Sequence, residues 1–305
     1  MSYPFTSILQ RPSSEHDICK IADSLLHKAG VVGKLPTPVE ELIACEGVEY
    51  VTNSEVYKEQ FLASLNRKAR EAFHTTWNKI RGIADLRDRA VYVPKTTTAP
   101  HVLFTKAHEL GHQVIPWQKV NFAYVDDKMS LSSRAEDLFE IEANYFAAEV
   151  IFQGQRFTKR VRDYQPSFDA VSLLSDEHGA SRHATLRRFV EEHDETLAMI
   201  HYWPRAYAID AQGYLVLRLG KIVGSTRFAQ KYGGVKLPGQ IQTGHDWVAA
   251  RDLLQVCTGH IKLDCGAGPV HFQWQSWWNT YCLFVLLRRK PALGLVGRLV
   301  HGSNL

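Results

Sequence analysis

The sequence contains no long hydrophobic run, and no stretch reaches the roughly 18–20 apolar residues that a membrane-spanning helix needs. The N-terminal stretch MSYPFTSILQRPSSEHD lacks the basic start and the apolar segment of a signal peptide. Cysteine is also scarce, and five residues, odd in number and scattered, favour free thiols in a reducing compartment over a disulfide framework. We therefore expect a cytoplasmic protein that does not associate with a membrane.

Charge of one sign is not in large excess either. The formal net charge of +4 permits contact with an acidic partner or with nucleic acid but implies neither. Hydrophobic residues make up 45% and charged residues 22% of the 305 residues, as in ordinary globular proteins. A chain of this length can bury a full core and is long enough for two domains.

Hydrophobic periodicity predicts helices in the first two thirds of the chain and strands in the last third. Helices are predicted at 14–30, 38–47, 54–79, from about 99 to Pro116, and at 133–152, 168–177 and 181–193, with a short strand after residue 47 and a hairpin within 80–94. From about residue 196, short β-prone runs alternate with Gly, Pro and Asp turns. The pattern predicts an α+β protein with a domain boundary near 195–203.

The segment FTKAHELGHQVIPW, residues 104–117, suggests a metal site on a helix. His108 and His112 are four residues apart, so on a helix they lie one above the other and can share one ion. Glu109 points off that axis, where it can hold a water molecule as a general base, which is the HExxH arrangement. A catalytic zinc ion also needs a third protein ligand and an open position. The alternative is an ordinary amphipathic helix with two incidental histidines.

The next long helix offers carboxylates for the missing ligand. It carries Glu136, Glu140, Glu142 and Asn144 within the stretch EDLFEIEAN. Glu140 and Asn144 are four residues apart and therefore share a face. If the helix packs beside the first one, it can supply one carboxylate to the metal. The alternative is a solvated acidic face.

These two stretches carry a resemblance to a known family. FTKAHELGH followed by EIEANYFAAEV resembles the ImmA/IrrE family of metallopeptidases, whose usual pattern is FTxAHELGH and then ExEANxFAAELL. The resemblance covers about residues 15–195 and includes PTPVEELIACEGVEYV and IRGIADLRDRAVYV upstream. The chain departs from the family in a longer segment at 54–79 and in IFQGQRF, where the family often has LLMP. We expect the second departure to affect helix termination rather than chemistry.

The resemblance implies a zincin-like core that holds zinc through His108, His112 and Glu140. Glu142 is the alternative third ligand. Glu140 is preferred because zincins with a helical glutamate ligand usually have Asp or Asn four residues later, here Asn144. Such a residue orients a ligand histidine by a hydrogen bond.

The resemblance also implies peptide hydrolysis, with Glu109 taking a proton from water and passing it to the leaving amine. An oxyanion partner is expected as well. Tyr124, in the loop after the first metal helix, is the candidate for that role. The alternative is a tyrosine packed on the domain surface.

The stretch LLSDEHGASRHATLRRFVEEH resembles a helix–turn–helix, with Arg182, Arg187 and Arg188 expected to be exposed. One interpretation is DNA binding by the second helix. The other, favoured because three arginines on one helix give little affinity at cellular salt, is a helix pair packed on the core.

Two local patterns in the last hundred residues suggest binding. Aromatic residues precede basic residues in HFQWQSWWNTYCLFVLLRRK, a pattern that suits stacking of single-stranded bases but equally a packed sheet core. The residues concerned are Trp274, Trp277, Trp278, Tyr281, Arg288, Arg289 and Lys290. In addition, Cys257, His260, Cys265 and His271 have a spacing that could bind structural zinc, although it matches no common zinc module.

Together these features predict three parts: a zincin-like metallopeptidase domain at 1–155, a helical segment packed on it at 156–199, and a C-terminal mixed α/β or β-rich, GAF-like sensor domain at 200–305. The resemblance implies a zinc endopeptidase that cleaves a helix–turn–helix transcriptional repressor in response to a stress signal such as DNA damage, so that repression is relieved. Single-stranded DNA or a small molecule would activate it through the C-terminal domain. The alternative is a non-proteolytic zincin-fold regulator, or a toxin-like partner, that binds a repressor.

Overall fold

The computed structural model of the protein describes residues 11–51, 83–85, 90–92, 98–118, 133–209, 214–253, 255–279 and 281–289. The predictions for segment 54–79, for Tyr124, for Lys290 and for the side chain of Glu136 lie outside the described residues. Among the described residues, no helix has the length and apolar character that crossing a bilayer requires. All five cysteines are free thiols.

Contacts divide the chain into two compact units. The N-terminal unit comprises Gln10–Arg160 and Ser172–Thr185, and the C-terminal unit comprises Met1–Leu9, Val161–Val171 and Leu186–Leu305. The first is mainly helical and the second contains a large sheet, so the prediction of an α+β protein is confirmed. The predicted domain boundaries at 155 and 199 stay a prediction.

The elements of the first part of the chain follow the predicted pattern. They are α1 Glu15–Lys28, α2 Val39–Cys45, β1 Glu49–Val51, β2 Ile83–Asp85, β3 Ala90–Tyr92, α3 Ala99–Val114, α4 Ser133–Phe152, α5 Gln155–Val161, α6 Phe168–His178 and α7 Arg182–Glu192. The three strands form a sheet in the order β1-β3-β2, with β1 parallel and β2 antiparallel to β3. The predicted hairpin strands are therefore present.

Helix α3 has clear sequence signals at both ends. Thr98 precedes it in an extended conformation, and Pro100 lies in the first turn, where a missing N–H costs nothing. Ile115 is extended because Pro116 follows it and disfavours the helical conformation of the preceding residue. From Thr105 to Gln113 nearly every side chain is buried, so this half of the helix lies inside the unit.

Helix α4 packs along α3 and also against α1. Its core side carries Phe139, Ala143 and Phe146, and all three are buried. The two metal-site helices approach closely at Gly111. A Cβ atom there would meet Phe146 Cδ1 at 3.0 Å and the Ala143 Cα atom at 3.3 Å. Glycine therefore allows the close approach of α3 and α4, and any side chain there would require its neighbours to shift by a few tenths of an ångström.

The C-terminal unit contains a six-stranded sheet that is antiparallel throughout. Its elements are β4 Thr196–Ile209, β5 Leu215–Gly224, α8 Thr226–Tyr232, β6 Gln240–Gln242, a 3₁₀ turn at Asp246–Val248, α9 Ala249–Leu253, β7 Cys257–Asp264, β8 Pro269–Trp278 and β9 Leu283–Arg289. The strand order is β6-β5-β4-β9-β8-β7. One face of the sheet forms a core with Phe228 of α8 and Trp247 of the 3₁₀ turn, both fully buried.

Candidate metal centre

Two adjacent helices bring three ligand atoms together in the N-terminal unit. His108 and His112 project from α3 with their Nε2 atoms 3.1 Å apart. Glu140 projects from α4, with its Oε2 atom 3.4 Å from His108 Nε2 and its Oε1 atom 3.5 Å from His112 Nε2. Within the described part of the chain, this is the one group of three His, Cys, Asp or Glu residues positioned to hold an ion.

The donor set and its spacing fit a tetrahedral metal ion. Ligand bonds of about 2.0–2.1 Å in tetrahedral geometry place the donor atoms about 3.3 Å apart. The two Nε2 atoms are 3.1 Å apart, and each has one oxygen of Glu140 at 3.4 or 3.5 Å, Oε2 for His108 and Oε1 for His112. Two imidazole nitrogens and one carboxylate oxygen form a ligand set of a catalytic zinc site, which leaves the fourth position for water.

Each histidine ring has a side-chain amide oxygen within hydrogen-bond distance of its Nδ1 atom. His108 Nδ1 lies 3.1 Å from Asn144 Oδ1, and His112 Nδ1 lies 2.8 Å from Gln118 Oε1. An amide oxygen only accepts, so each of these contacts requires a proton on Nδ1. Both Nε2 atoms face the same point, which suits a cation. The Asn144 contact matches the expected orienting role for a residue four positions after Glu140.

The electrostatics of the group are those of a carboxylate between two bases. Hydrogen bonds from His108 and then His112 hold the pKa of Glu140 far below its ordinary value, despite partial desolvation. Burial by itself lowers the pKa of His112, but the Glu140 carboxylate, the Glu109 charge and the Gln118 oxygen together raise it above its ordinary value. Glu140 is therefore ionised at neutral pH and able to act as a ligand.

Access to the group is from the Glu140 side. The side chains of His108 and His112 are 13% and 9% exposed, whereas that of Glu140 is 61% exposed. Glu109 follows His108 on α3 and is buried. Its charge contributes to the raised pKa of His112.

Glu142, the alternative third ligand, lies elsewhere. It is 2% exposed and accepts hydrogen bonds from the Ser14 hydroxyl at 2.5 Å, Trp117 Nε1 at 2.7 Å and Gln118 Nε2 at 2.8 Å. Residues two apart on a helix do not share a face, so the spacing from Glu140 already separates the two carboxylates. Sequence reasoning missed Gln118, because it lies beyond Pro116 and outside any helical period.

The predicted helix–turn–helix stretch forms α6 and α7. Arg187 and Arg188 form ion pairs with Glu191 and Glu192 one turn later, and Arg188 is buried. Of the three predicted arginines, Arg182 is exposed. This arrangement favours the interpretation of packed helices over a DNA-binding face.

The aromatic and basic residues of β8 and β9 are engaged within the C-terminal unit. Trp274 is buried in the core, and Trp278 packs against it beneath the guanidinium of Arg251 at 5.5 Å. Arg288 forms a bidentate ion pair with Glu195 at 2.6 and 2.7 Å. These contacts favour the packed-core interpretation of the pattern.

The other aromatic and basic residues of that pattern do not form one binding surface, and the cysteine–histidine set does not form one site. Trp277 packs near Phe284, the Arg289 guanidinium donates to the His271 carbonyl, and Tyr281 is exposed. Cys257 packs on the core face of β7, whereas His260 contacts Gln273. Cys257, His260, Cys265 and His271 do not form a metal-ligating group among the described residues.

Residues 62–190 match the family model of the IrrE N-terminal-like domain, Peptidase M78, and this segment contains the His108–His112–Glu140 group. This match supports an ImmA/IrrE assignment for the domain within those residues. The family match supports a metallopeptidase and a zincin-like core. The matched residues also include part of segment 54–79, which we expect to be longer than in most ImmA/IrrE proteins.

One solved structure gives a comparison over a larger part of the chain. A Mycobacterium tuberculosis transcriptional regulator is similar over 89% of this chain and 76% of that chain, with a TM-score of 0.51 and 14% sequence identity. At this identity the likeness shows the fold alone. No curated protein sequence matches the chain significantly.

Proposed function

We propose that the protein is a zinc-dependent endopeptidase that cleaves a helix–turn–helix transcriptional repressor in response to a stress signal such as DNA damage. The observation that carries this proposal is the group of His108, His112 and Glu140 with Glu109 beside it, inside a Peptidase M78 match. The transcriptional part of the proposal rests on the resemblance to the ImmA/IrrE family, and the structurally similar protein is itself described as a transcriptional regulator.

In this mechanism His108, His112 and Glu140 hold the metal ion. When bound, such an ion polarises a carbonyl oxygen and lowers the pKa of a water molecule. The Glu109 carboxylate takes a proton from the attacking water and delivers it to the leaving amine. Asn144 and Gln118 keep both imidazoles oriented with Nε2 toward the ion. Tyr124 remains the proposed oxyanion partner.

The C-terminal unit is proposed as the sensor, with a GAF-like role. A cavity of about 400 Å³ lies in this unit over strands β7 to β9, with His260, Gln273 and Arg288 among its lining residues. A site of this size suits a small-molecule signal. Single-stranded DNA remains the other proposed activator.

The proposal is tested by Glu109→Gln. This change keeps the shape of the side chain but removes the general base, so zinc binding should persist while peptide cleavage falls by about 10²–10⁴-fold. Zinc-loaded wild type and variant are incubated with a panel of purified helix–turn–helix repressors and with a peptide library, and products are identified by mass spectrometry.

The result also separates the two candidate functions. Cleavage by wild type and not by Glu109→Gln supports the peptidase. Repressor binding by both proteins, with no cleavage by either, supports the non-proteolytic regulator instead. Equal cleavage by both proteins overturns the assigned role of Glu109.

A further inference from the structure

A buried hydrogen-bond chain lies behind His112 and ends in a carboxylate that the proposed chemistry does not use. Gln118 is fully buried and its Oε1 atom lies 2.8 Å from His112 Nδ1. The Gln118 Nε2 group donates to Glu142 Oε2 at 2.8 Å and to the Phe139 carbonyl at 3.3 Å. The chain therefore runs from Glu142 through Gln118 to His112.

The chemistry of these groups fixes the orientation of the Gln118 amide. An ionised carboxylate and a backbone carbonyl accept hydrogen bonds and donate none. The two groups that face one end of the amide, Glu142 and the Phe139 carbonyl, therefore require its NH₂ there. The amide oxygen is left facing His112 Nδ1, which must carry a proton to make this hydrogen bond.

Glu142 itself is held on three sides. Ser14 donates to its Oε1 atom, and Trp117 and Gln118 donate to its Oε2 atom. A buried carboxylate without partners is strongly unfavourable, and three donors compensate that cost. Ser14 precedes α1 and Trp117 follows α3, so the carboxylate also ties both of these elements to α4.

We propose that Gln118 and Glu142 are positioning residues that fix the Nδ1–H tautomer of His112, so that its Nε2 atom is available as a metal ligand. The inference rests on the proposed function of the metal group and deepens it. It also assigns Glu142 a role different from that of Glu140. A rotated Gln118 amide would point NH₂ at His112 and favour the opposite tautomer, whose Nε2 carries a proton and cannot bind a metal ion.

Three substitutions test this relay, the hydrogen-bond chain from Glu142 through Gln118 to His112. Gln118→Met keeps the side-chain length and removes both polar ends, so zinc affinity should fall by about 10–100-fold. Glu142→Met leaves the Gln118 amide free to rotate, and we expect a smaller loss of several-fold, about 5–20-fold. Glu142→Gln can still accept from Trp117 and Gln118 while its NH₂ donates to Ser14, so affinity should stay within about 3-fold of wild type.

Gln153→Met is the matched control. Gln153 is buried, like Gln118. Its amide oxygen accepts a hydrogen bond from Gly33 N–H at 2.7 Å, and its NH₂ group donates to the Lys34 carbonyl at 2.9 Å. The same chemical change there removes buried hydrogen bonds from the same unit without touching His112. It should lower thermal stability but leave zinc affinity unchanged, which separates a positioning effect from general destabilisation.

Two readouts are measured on the full chain. Zinc affinity is obtained by competition with a chromophoric chelator. The His112 tautomer in the metal-free protein is obtained by ¹⁵N NMR of the imidazole at several alkaline pH values, because the pKa of His112 is raised above its ordinary value. We expect Nδ1–H in wild type and in Glu142→Gln, and a mixture of tautomers in Gln118→Met. An unchanged tautomer and unchanged affinity in Gln118→Met overturn the inference.

The tautomer readout does not depend on the proposed function. Wild type that binds no zinc contradicts the metal site, whereas Nε2–H at His112 in metal-free wild type contradicts the relay. Wild type that binds zinc tightly, together with Gln118→Met that binds equally tightly, leaves the metal site intact and removes the role of Gln118.

Discussion

Glu140 is the most exposed member of the metal group, and its pKa is also the one that the two histidines displace most. Hydrogen bonds from His108 and His112 hold that pKa far below its ordinary value, so the carboxylate stays charged at neutral pH. As the proposed third ligand, it would supply negative charge to a divalent ion.

Replacing that carboxylate should remove most of the metal affinity. Glu140→Gln keeps the shape but loses the charge, and we expect zinc affinity to fall by more than about 100-fold, which exceeds the usual effect of an outer hydrogen-bond partner. Asp137→Asn is the control, because it neutralises another exposed carboxylate on α4. Comparable losses in the two variants, measured by chelator competition, would contradict the assignment of Glu140.

His178 predicts a pH effect on stability away from the site. Burial lowers its pKa, although the hydrogen bond from Nδ1 to the Ile151 carbonyl, at 3.1 Å, raises it in part. The net shift is downward, so the unfolded chain binds more protons. The contribution of His178 to stability is full above the unfolded pKa of 6.5 and is lost as the pH falls below it.

The test compares wild type with His178→Asn, which keeps a donor for the Ile151 carbonyl but does not titrate. Between about pH 7.5 and about pH 5.5 wild type should lose more stability than the variant, by at most about 1.4 kcal/mol per pH unit, the limit for one proton. Thermal unfolding across this range measures the difference. The control is His16→Asn at an exposed histidine, and equal slopes for wild type and both variants refute the role of His178.

At the scale of single residues, the sequence predicts what helical spacing determines. The placement of His108, Glu109 and His112 on α3 and the shared face of Glu140 and Asn144 on α4 follow from the 3.6-residue turn. The position of Gln118, which contacts a proposed ligand, does not follow from helical spacing. Gln118 reaches His112 only because the chain turns at Ile115 and Pro116, and no period in the sequence encodes that return.

At the scale of elements, the close approach of α3 and α4 sets the geometry of the group. Gly111→Ala should force the helices apart, since the added Cβ would press on the Ala143 Cα atom, which belongs to the backbone and cannot turn aside. We expect a loss of about 1–3 kcal/mol of stability. Zinc affinity should fall as well, because Glu140 moves away from both histidines.

Gly234→Ala is the control for this change. The nearest atom to a Cβ there is the Cys265 carbonyl oxygen at 3.7 Å, an ordinary contact. Urea unfolding and chelator competition measure the two effects. If Gly111→Ala unfolds at the same urea concentration as wild type and keeps its zinc affinity, the packing account is wrong.

The helical elements were easier to predict than the strands. The amphipathic runs of α1, α4, α6 and α7 are long, and their bounds in the structure lie close to the predicted ones. In the region of strand β7 the sequence offers a cysteine–histidine spacing that could bind zinc. The strand places Cys257 and His260 on opposite faces, so the spacing along the chain does not bring them together. The short helix α8 was not predicted.

At the scale of the whole molecule, the metal group lies entirely in the N-terminal unit, together with its orienting residues. The C-terminal unit has its own buried core between the sheet and α8, the 3₁₀ turn and α9. Each unit therefore has the packing needed for a function of its own, and the proposed division into peptidase and sensor follows these two cores.

The most direct test of the central claim is the metal content of the purified protein. Elemental analysis of wild type and of His112→Ala, each after removal of metal and reconstitution with zinc, compares the two proteins under the same conditions. The account predicts about one zinc ion per chain in wild type and none in the variant. No bound metal in wild type, or the same content in both proteins, would contradict it.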